Sequence, residues 1–298
     1  MKVLEKHGNP ELARVFIGQL EDGHRIEFVE SIQPPRTRAD KWVNVISTMV
    51  GCPVGCKMCD AGGKFSRHLS AEELKWQVDT LAEDKFKDGK VESRMWKIQL
   101  ARMGEPTLNP AVLEFLSQLS KEQHENLVIS LSSVGPSSCA PFIQNLKAIK
   151  DEGFLGRFQL QFSIHSTNDD ARHRLIPIKT MPLPEIAALG RQFRKKEDRK
   201  ITLNFIVMKD VPIDTERISR LFDPENFLIK LTPLNPTYRA KYHKLQRGFD
   251  PERPDTIQNL ISEFEKKGFQ VILSIGEMEE NQIGSNCGQY LERAGGTY

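Results

Sequence analysis

Apolar positions in this chain recur with two periods. Ala13-Arg14-Val15-Phe16-Ile17-Gly18-Gln19-Leu20 and Arg25-Ile26-Glu27-Phe28-Val29-Glu30 read as strands. The Asp22-Gly23 turn between them predicts a β-hairpin. Pro34-Pro35-Arg36 then breaks the pattern. Ser70-Ala71-Glu72-Glu73 is a capping box, opening a helix to about Ala82 with Leu74, Val78 and Leu81 on its apolar face. From there strands and helices alternate. Strands are expected at Ser93 to Ala101, Leu127 to Ser132, Phe158 to Ile164, Ile201 to Met208 and Phe227 to Leu231. Helices are expected at Val112 to Leu119, Ala140 to Ile149, Leu183 to Phe193 and Asp214 to Leu221. About six such alternations argue for a parallel sheet, without separating a barrel from a doubly wound sheet. A helix from Pro254 to Lys267, a strand from Phe269 to Leu273 and a Gly/Glu/Asn-rich stretch to Cys287 close the chain. This divides it into an N-terminal extension (1–45), a core (46–240) and a C-terminal extension (241–298).

Composition adds bounds. The 298 residues are 39% hydrophobic and 28% charged, as in an ordinary globular protein. A net charge of +2 is compatible with an anionic partner but does not point to one. No apolar run approaches the ~18 residues of a membrane span. The first residues lack the apolar core of a signal peptide. Five cysteines, an odd number in a long chain, argue against a disulfide framework and for a reducing cytoplasm.

Three of those cysteines, Cys52, Cys56 and Cys59, are spaced C-x3-C-x2-C. A cubane 4Fe-4S cluster takes four thiolates, so three leave one iron open. A structural zinc site needs a fourth ligand, for which His68, Cys139 and Cys287 are available. Three unrelated buried thiols are the plain alternative. In parallel β/α architectures, chemistry collects at the C-terminal ends of strands. Four such ends are polar or glycine-rich: Met103-Gly104-Glu105-Pro106, Ser132-Ser133-Val134-Gly135, Ser163-Ile164-His165 and Pro233-Leu234-Asn235-Pro236. Taken singly, each is also an ordinary turn, and His165 also reads as a structural histidine.

The cysteine spacing after Ile46-Ser47-Thr48-Met49-Val50-Gly51, with Ser66-Arg67-His68-Leu69-Ser70, resembles the radical S-adenosylmethionine (SAM) superfamily. Within it, the chain is similar to the RlmN and Cfr adenine methylases of ribosomal RNA over nearly all of residues 13–290. The resemblance implies an open (β/α)6 barrel preceded by the hairpin. It implies one 4Fe-4S cluster on Cys52, Cys56 and Cys59, with SAM on the open iron and cleaved to a 5′-deoxyadenosyl radical. SAM contacts are implied at Gly104, Glu105, Ser132, Ser163, Ile164, His165 and Asn235. Asn286-Cys287-Gly288-Gln289 resembles the motif whose cysteine is methylated, and Glu27 sits where the family has a proposed proton acceptor. The partners implied are RNA (ribosomal or transfer), an electron donor such as flavodoxin or ferredoxin, and no membrane, for a monomer.

The chain departs from the family at three places. Arg102 stands where a glycine is usual. Val45, seven residues before Cys52, replaces the cysteine that resolves the enzyme–RNA adduct. The sequence ahead of the hairpin is too short for the family's helical accessory domain. Two other readings follow: radical chemistry on a small molecule or peptide without methyl transfer, and a non-catalytic cluster- or RNA-binding paralogue. The SAM-contact motifs argue against the second. Two basic runs are candidate phosphate contacts: Arg191, Arg194, Lys195, Lys196, Arg199 and Lys200, and Arg239, Lys241, Lys244 and Arg247 with Tyr238 and Tyr242.

Overall fold

The computed structural model describes residues 1–122 and 124–285. Ten strands form one sheet. β1 (Lys2–Asn9), β2 (Ala13–Gln19) and β3 (Arg25–Ser31) are antiparallel, and β3 pairs antiparallel with β4 (Trp42–Ile46). β5 (Met49–Val50) and β6 (Arg67–His68) form a separate two-stranded ribbon on either side of the cysteines. β7 (Trp96–Leu100), β8 (Leu127–Ser133), β9 (Phe158–Ser163), β10 (Ile201–Val207), β11 (Phe227–Pro233) and β12 (Val271–Leu273) continue from β4 in parallel. The helices are α1 (Ala71–Lys85), α2 (Ala111–Lys121), α3 (Ala140–Gly153), α4 (Asp169–Leu175), α5 (Leu183–Phe193), α6 (Thr215–Leu221), α7 (Tyr238–Tyr242), α8 (Gln258–Lys266) and α9 (Met278–Ile283).

Strand order follows sequence order from β1 to β12, with no reversal. A doubly wound sheet would reverse direction at a switch point, so this is the open barrel. The expected two-stranded hairpin is part of a three-stranded extension. β1 escaped the periodicity because it is a half-exposed edge strand that carries Lys2, Glu5 and Lys6 and is interrupted by a bulge between Val3 and Glu5, and edge strands carry such charges and bulges. The Asp-Gly turn forms as expected, with Gly23 at φ +90°. β4 runs across the expected 45/46 boundary, so extension and core share one sheet. β12 lies in the C-terminal extension yet adds a seventh parallel strand. The expected helix from Pro254 begins instead as a 3-10 turn (Pro254–Ile257) ahead of α8, since proline is tolerated only in a first turn. Among the described residues, no helix is long and apolar enough to cross a membrane.

Alternation along the strands gives the barrel two unlike faces. Ile98, Ile129, Phe162, Leu203, Phe205 and Ile229 are buried against the helices. The intervening Gln99, Ser132, Gln161, Asn204, Lys230 and Thr232 line a central cavity of about 580 Å³. The capping box forms, with Ser70 Oγ accepting from Glu73 N at 3.2 Å and Glu73 Oε2 from Ser70 N at 2.9 Å. Glu73 also pairs with Arg67 at 2.8 Å, tying the exit of the cysteine loop to α1.

At the opposite end of the barrel, the first basic run serves the fold. Lys150 is fully buried on α3 and is paired with Asp198 and with Asp151 at 2.6 Å. Asp198 also accepts from the backbone N of Lys195 and Gly156. Removing one partner of a buried pair strands the other charge, which costs more than removing both. Asp198→Ala is therefore expected to lower stability by about 3 kcal/mol in urea unfolding. Adding Lys150→Met should recover part of that loss; a double variant worse than the single would contradict the pairing.

Candidate active site

The cysteine loop leaves β5 through Gly51 at φ +72°, where an added Cβ would lie 1.6 Å from the Lys64 carbonyl oxygen. Gly62 packs against the Gly55 backbone, with room for no side chain. Backbone bonds from Cys59 N to Cys56 O (3.2 Å), Gly62 N to Cys59 O (3.1 Å) and Gly63 N to Cys52 O (2.9 Å) wind the loop on itself. It is then clamped from the far end of the sheet. Arg239 donates to the carbonyls of Cys56 (3.1 Å) and Gly55 (2.9 Å). Asp60 accepts from the N–H groups of Tyr238 (3.0 Å) and Arg239 (2.9 Å), and Thr237 donates to Met58 O (2.9 Å). Arg239 therefore faces the loop's carbonyls, although its sequence context read as a phosphate contact.

Cys52, Cys56 and Cys59 all face the central cavity. Burial, then the neighbouring Cys59 thiolate, pushes the Cys52 thiol up to about 12. The same causes, with Cys52 added, push Cys56 well above its ordinary value. Three such thiolates are stable together only around a cation, and coordination deprotonates a thiol. The donor set thus fits an iron–sulfur cluster. Among the described residues, no three His, Cys, Asp or Glu side chains converge on one ion-sized point. A cubane asks less, since each thiolate takes its own iron. His68 is exposed and lies against Phe65, with ring centroids 5.4 Å apart. Cys139 is buried just before α3, and its thiol is pushed up to about 12 by burial.

Gly104, Glu105, Ser132, Ser163, His165 and Asn235 all line the cavity beside the cysteines. Gly104 has φ +102°, and a Cβ there would come within 2.6 Å of Thr48 Oγ1. The buried Glu105 carboxylate accepts from Thr107 Oγ1 (2.7 Å), Thr107 N (3.2 Å) and Val134 N (2.9 Å), bridging the loops after β7 and β8. Burial raises its pKa against these bonds. Ser132 accepts from Gln161 Nε2 at 3.2 Å, while Ser133 braces Gly135 N. The Ile164 side chain is buried in the core, so what it offers the cavity is backbone. His165 sits at φ +61°, and its Nδ1 accepts from Ile206 N at 3.1 Å. That bond puts the imidazole proton on Nε2. Burial, with a smaller contribution from Arg172, lowers its pKa to about 3.

At the lip of the cavity, Glu27 is fully buried and pairs with Arg102, Oε1 to Nη2, at 2.9 Å. Arg102 also donates to the carbonyl oxygens of Gly284 (2.7 Å) and Ser285 (3.0 Å). Cys287 lies outside the described residues. Val45 lines the cavity and pairs across the sheet with Val29 and Gln99. The polar lumen residues Gln99, Gln161, Asn204 and Lys230 were missed in the sequence. Their signal was the polar half of each strand's alternation.

A glycine-tightened thiolate loop at the mouth of an open parallel barrel defines a cluster-dependent enzyme. The radical SAM superfamily profile matches residues 46–222, more than half of the chain. The chain belongs to the radical SAM superfamily, whose members use a 4Fe-4S cluster and SAM. It is 28% identical over 289 residues to "Dual-specificity RNA methyltransferase RlmN" of Nautilia profundicola, covering 93% of this chain and 77% of that one. It is 32% identical over 208 residues to the protein of the same name from Sorangium cellulosum, covering 68% of this chain and 51% of that one. Among solved structures, a radical SAM methyltransferase from Sphaerobacter thermophilus superposes with a TM-score of 0.75 at 25% identity, covering 97% of this chain and 80% of that chain.

Two outcomes are expected. Anaerobic reconstitution should give a brown protein, with colour and bound iron lost in Cys52→Ser, Cys56→Ser or Cys59→Ser and kept in Cys139→Ser. Iron loss on changing Cys139 would break the three-ligand assignment. The second concerns His165. An unfolded histidine titrates near ~6.5, while the folded one titrates at about 3. Its contribution is thus fully present above ~6.5 and is lost as pH falls toward the folded value. His165→Asn should flatten the acid limb of a stability–pH curve; an unchanged slope would refute a neutral buried imidazole.

Proposed function

We propose that the protein is a methyltransferase that modifies an sp2 carbon of an RNA adenine, with Cys287 as methyl carrier. The observation that carries this reading is the grip of Arg102 on Gly284 and Ser285, because Cys287 follows two residues later. Similarity to the RlmN methyltransferases supports it. Cys52, Cys56 and Cys59 hold the cluster, which with SAM supplies hydrogen abstraction by a 5′-deoxyadenosyl radical. Gly104 lets backbone approach SAM, and Glu105, Ser132, Ser163, Asn235 and the backbone at Ile164 orient it. His165 offers a neutral Nε2–H. The Cys287 thiolate is the nucleophile for a methyl group. Glu27 fixes Arg102, and its carboxylate is the candidate proton acceptor at the lip.

RNA would approach over α7, where Tyr238 and Tyr242 are exposed beside Lys241 and Lys244. Exposed aromatics among cations suit base stacking and phosphate contact. The first basic run supports this less. Lys195 pairs with Asp151, Arg194 bonds Asn226 and Lys200 bonds Pro224 O, at the end of the barrel away from the cysteines. We place the enzyme in the cytoplasm as a monomer reduced by a flavodoxin or ferredoxin.

Intact mass after incubation with SAM tests the carrier. Wild type should gain a methyl group and Cys287→Ala none. Arg102→Met, losing two charge-assisted bonds to that segment, should gain it at least ~10-fold more slowly. An unmethylated wild type that still forms 5′-deoxyadenosine would move the reading to radical chemistry on a small molecule or peptide. The presence of Val45, rather than a thiol, in the cavity wall favours that alternative.

A further inference from the structure

The wall of the central cavity holds a carboxyl that neither the cysteine loop nor the SAM-contact motifs use. Glu280 sits on α9 and lines the cavity. Its backbone oxygen accepts from Gly284 N at 2.9 Å and from Ser285 N at 3.1 Å, so the chain folds back on it at the end of the helix. Gly284 makes that turn at φ +84°. Arg102 holds the carbonyls of the same two residues, and Ser285 also lines the cavity. Glu280 therefore stands one turn before the segment that leads to Cys287.

Its surroundings leave this carboxyl to a ligand. Ser31 Oγ donates to Oε1 at 3.2 Å, and the Glu277 backbone amide also bonds the carboxyl. Both donors are neutral. Among the described residues, no lysine, arginine or histidine pairs with Glu280, and Arg102, in the same wall, pairs with Glu27 instead. Two residues before Ser31 on the same face of β3 comes Val29, in register with Val45, and both line the cavity as hydrocarbon. Burial raises the Glu280 pKa, and the nearby Glu277 charge adds to the rise. A carboxyl without a cation beside hydrocarbon is costly until a donor reaches it. A wall built only for packing would carry hydrocarbon here too, as it does at Val29 and Val45.

We infer that Glu280 is a specificity-determining residue that accepts a hydrogen bond from the exocyclic amino group of the target base. The inference rests on the reading of the substrate as an RNA adenine with Cys287 as methyl carrier. Methyl transfer brings the reacting carbon of the base to that cysteine. Two residues of chain span at most ~7 Å, so Cys287 acts within reach of the wall that Ser285 and Glu280 share. A base placed there meets hydrocarbon at Val29 and Val45 and an acceptor at Glu280. Carboxyl oxygens accept readily from an exocyclic amine on a base. A site built to hold such a group rejects an analogue that lacks it.

Fluorescence anisotropy of the cluster-loaded full chain tests it. The probes are two uridine RNA hexamers, one carrying a single adenine and the other a single unsubstituted purine, which differs from adenine only in lacking the amine. Wild type should bind the adenine hexamer about 10-fold more tightly. Glu280→Met, of similar length, and Glu280→Ala should each erase that preference at unchanged iron content. Glu280→Gln should keep most of it, because its amide oxygen still accepts. Glu279→Gln, on the same helix but bonded to Asn9, should behave as wild type. A wild type that binds both hexamers equally, or a preference that survives Glu280→Met, overturns the inference. The methyl-carrier reading then still stands or falls by the mass gain on Cys287. A wild type that binds neither hexamer overturns the inference together with RNA as the substrate.

Discussion

Three thiols drawn together in one loop against the central cavity set the terms for the rest of this fold. Their mutual repulsion and desolvation hold Cys52 and Cys56 protonated unless iron compensates. The loop therefore cannot be organised by its own cysteines before the cluster arrives. It is organised instead by backbone. Glycines at positions 51 and 62 allow a winding that side chains would block, the loop's carbonyls accept from Thr237 and Arg239, and its Asp60 accepts from the Arg239 amide. Thr237 and Arg239 come from beyond β11, so the first and last parallel strands of the core are tied together through the cluster loop. Bridging the two ends of the core and shaping the cysteine loop are one structural event.

The same economy governs the strands. One face supplies the apolar core under the helices, and the other is polar enough to keep a cavity open. Glu105 shows how the two are joined. Its carboxylate, buried and pushed toward protonation, is spent largely on Thr107 and Val134, so it holds two strand-end loops at a fixed separation. His165 is held by Ile206 N in one tautomer. A ligand in the cavity meets donors and acceptors that are already fixed, and little ordering is left for binding to impose.

What was legible in the sequence is what is encoded locally. The cysteine spacing, the Gly104-Glu105 turn, the capping box at Ser70 and the alternation of core strands each depend on neighbours within a few residues. What was not legible depends on register or on distant partners. β1 has no apolar stripe because it borrows its order from β2. Arg239 looked like a solvent cation until Gly55 and Cys56 were placed against it. The run from Arg191 to Lys200 looked like a phosphate patch, but Asp151 and Asn226 meet it from other elements.

Arg102 and Val45 belong to one argument. A buried guanidinium is costly without acceptors, and this one has Glu27 on one side and two main-chain carbonyls on the other. The acceptors come from β3 and from the end of α9, so Arg102 ties the C-terminal extension into the wall of the cavity. Val45, by contrast, extends the small apolar cluster of Val15, Ile17 and Val29 to the cavity edge. Where the resembling methylases have a glycine and a thiol, this chain has a clamp and a hydrocarbon. Near Arg102 the cavity wall also carries Glu280, whose pKa burial raises.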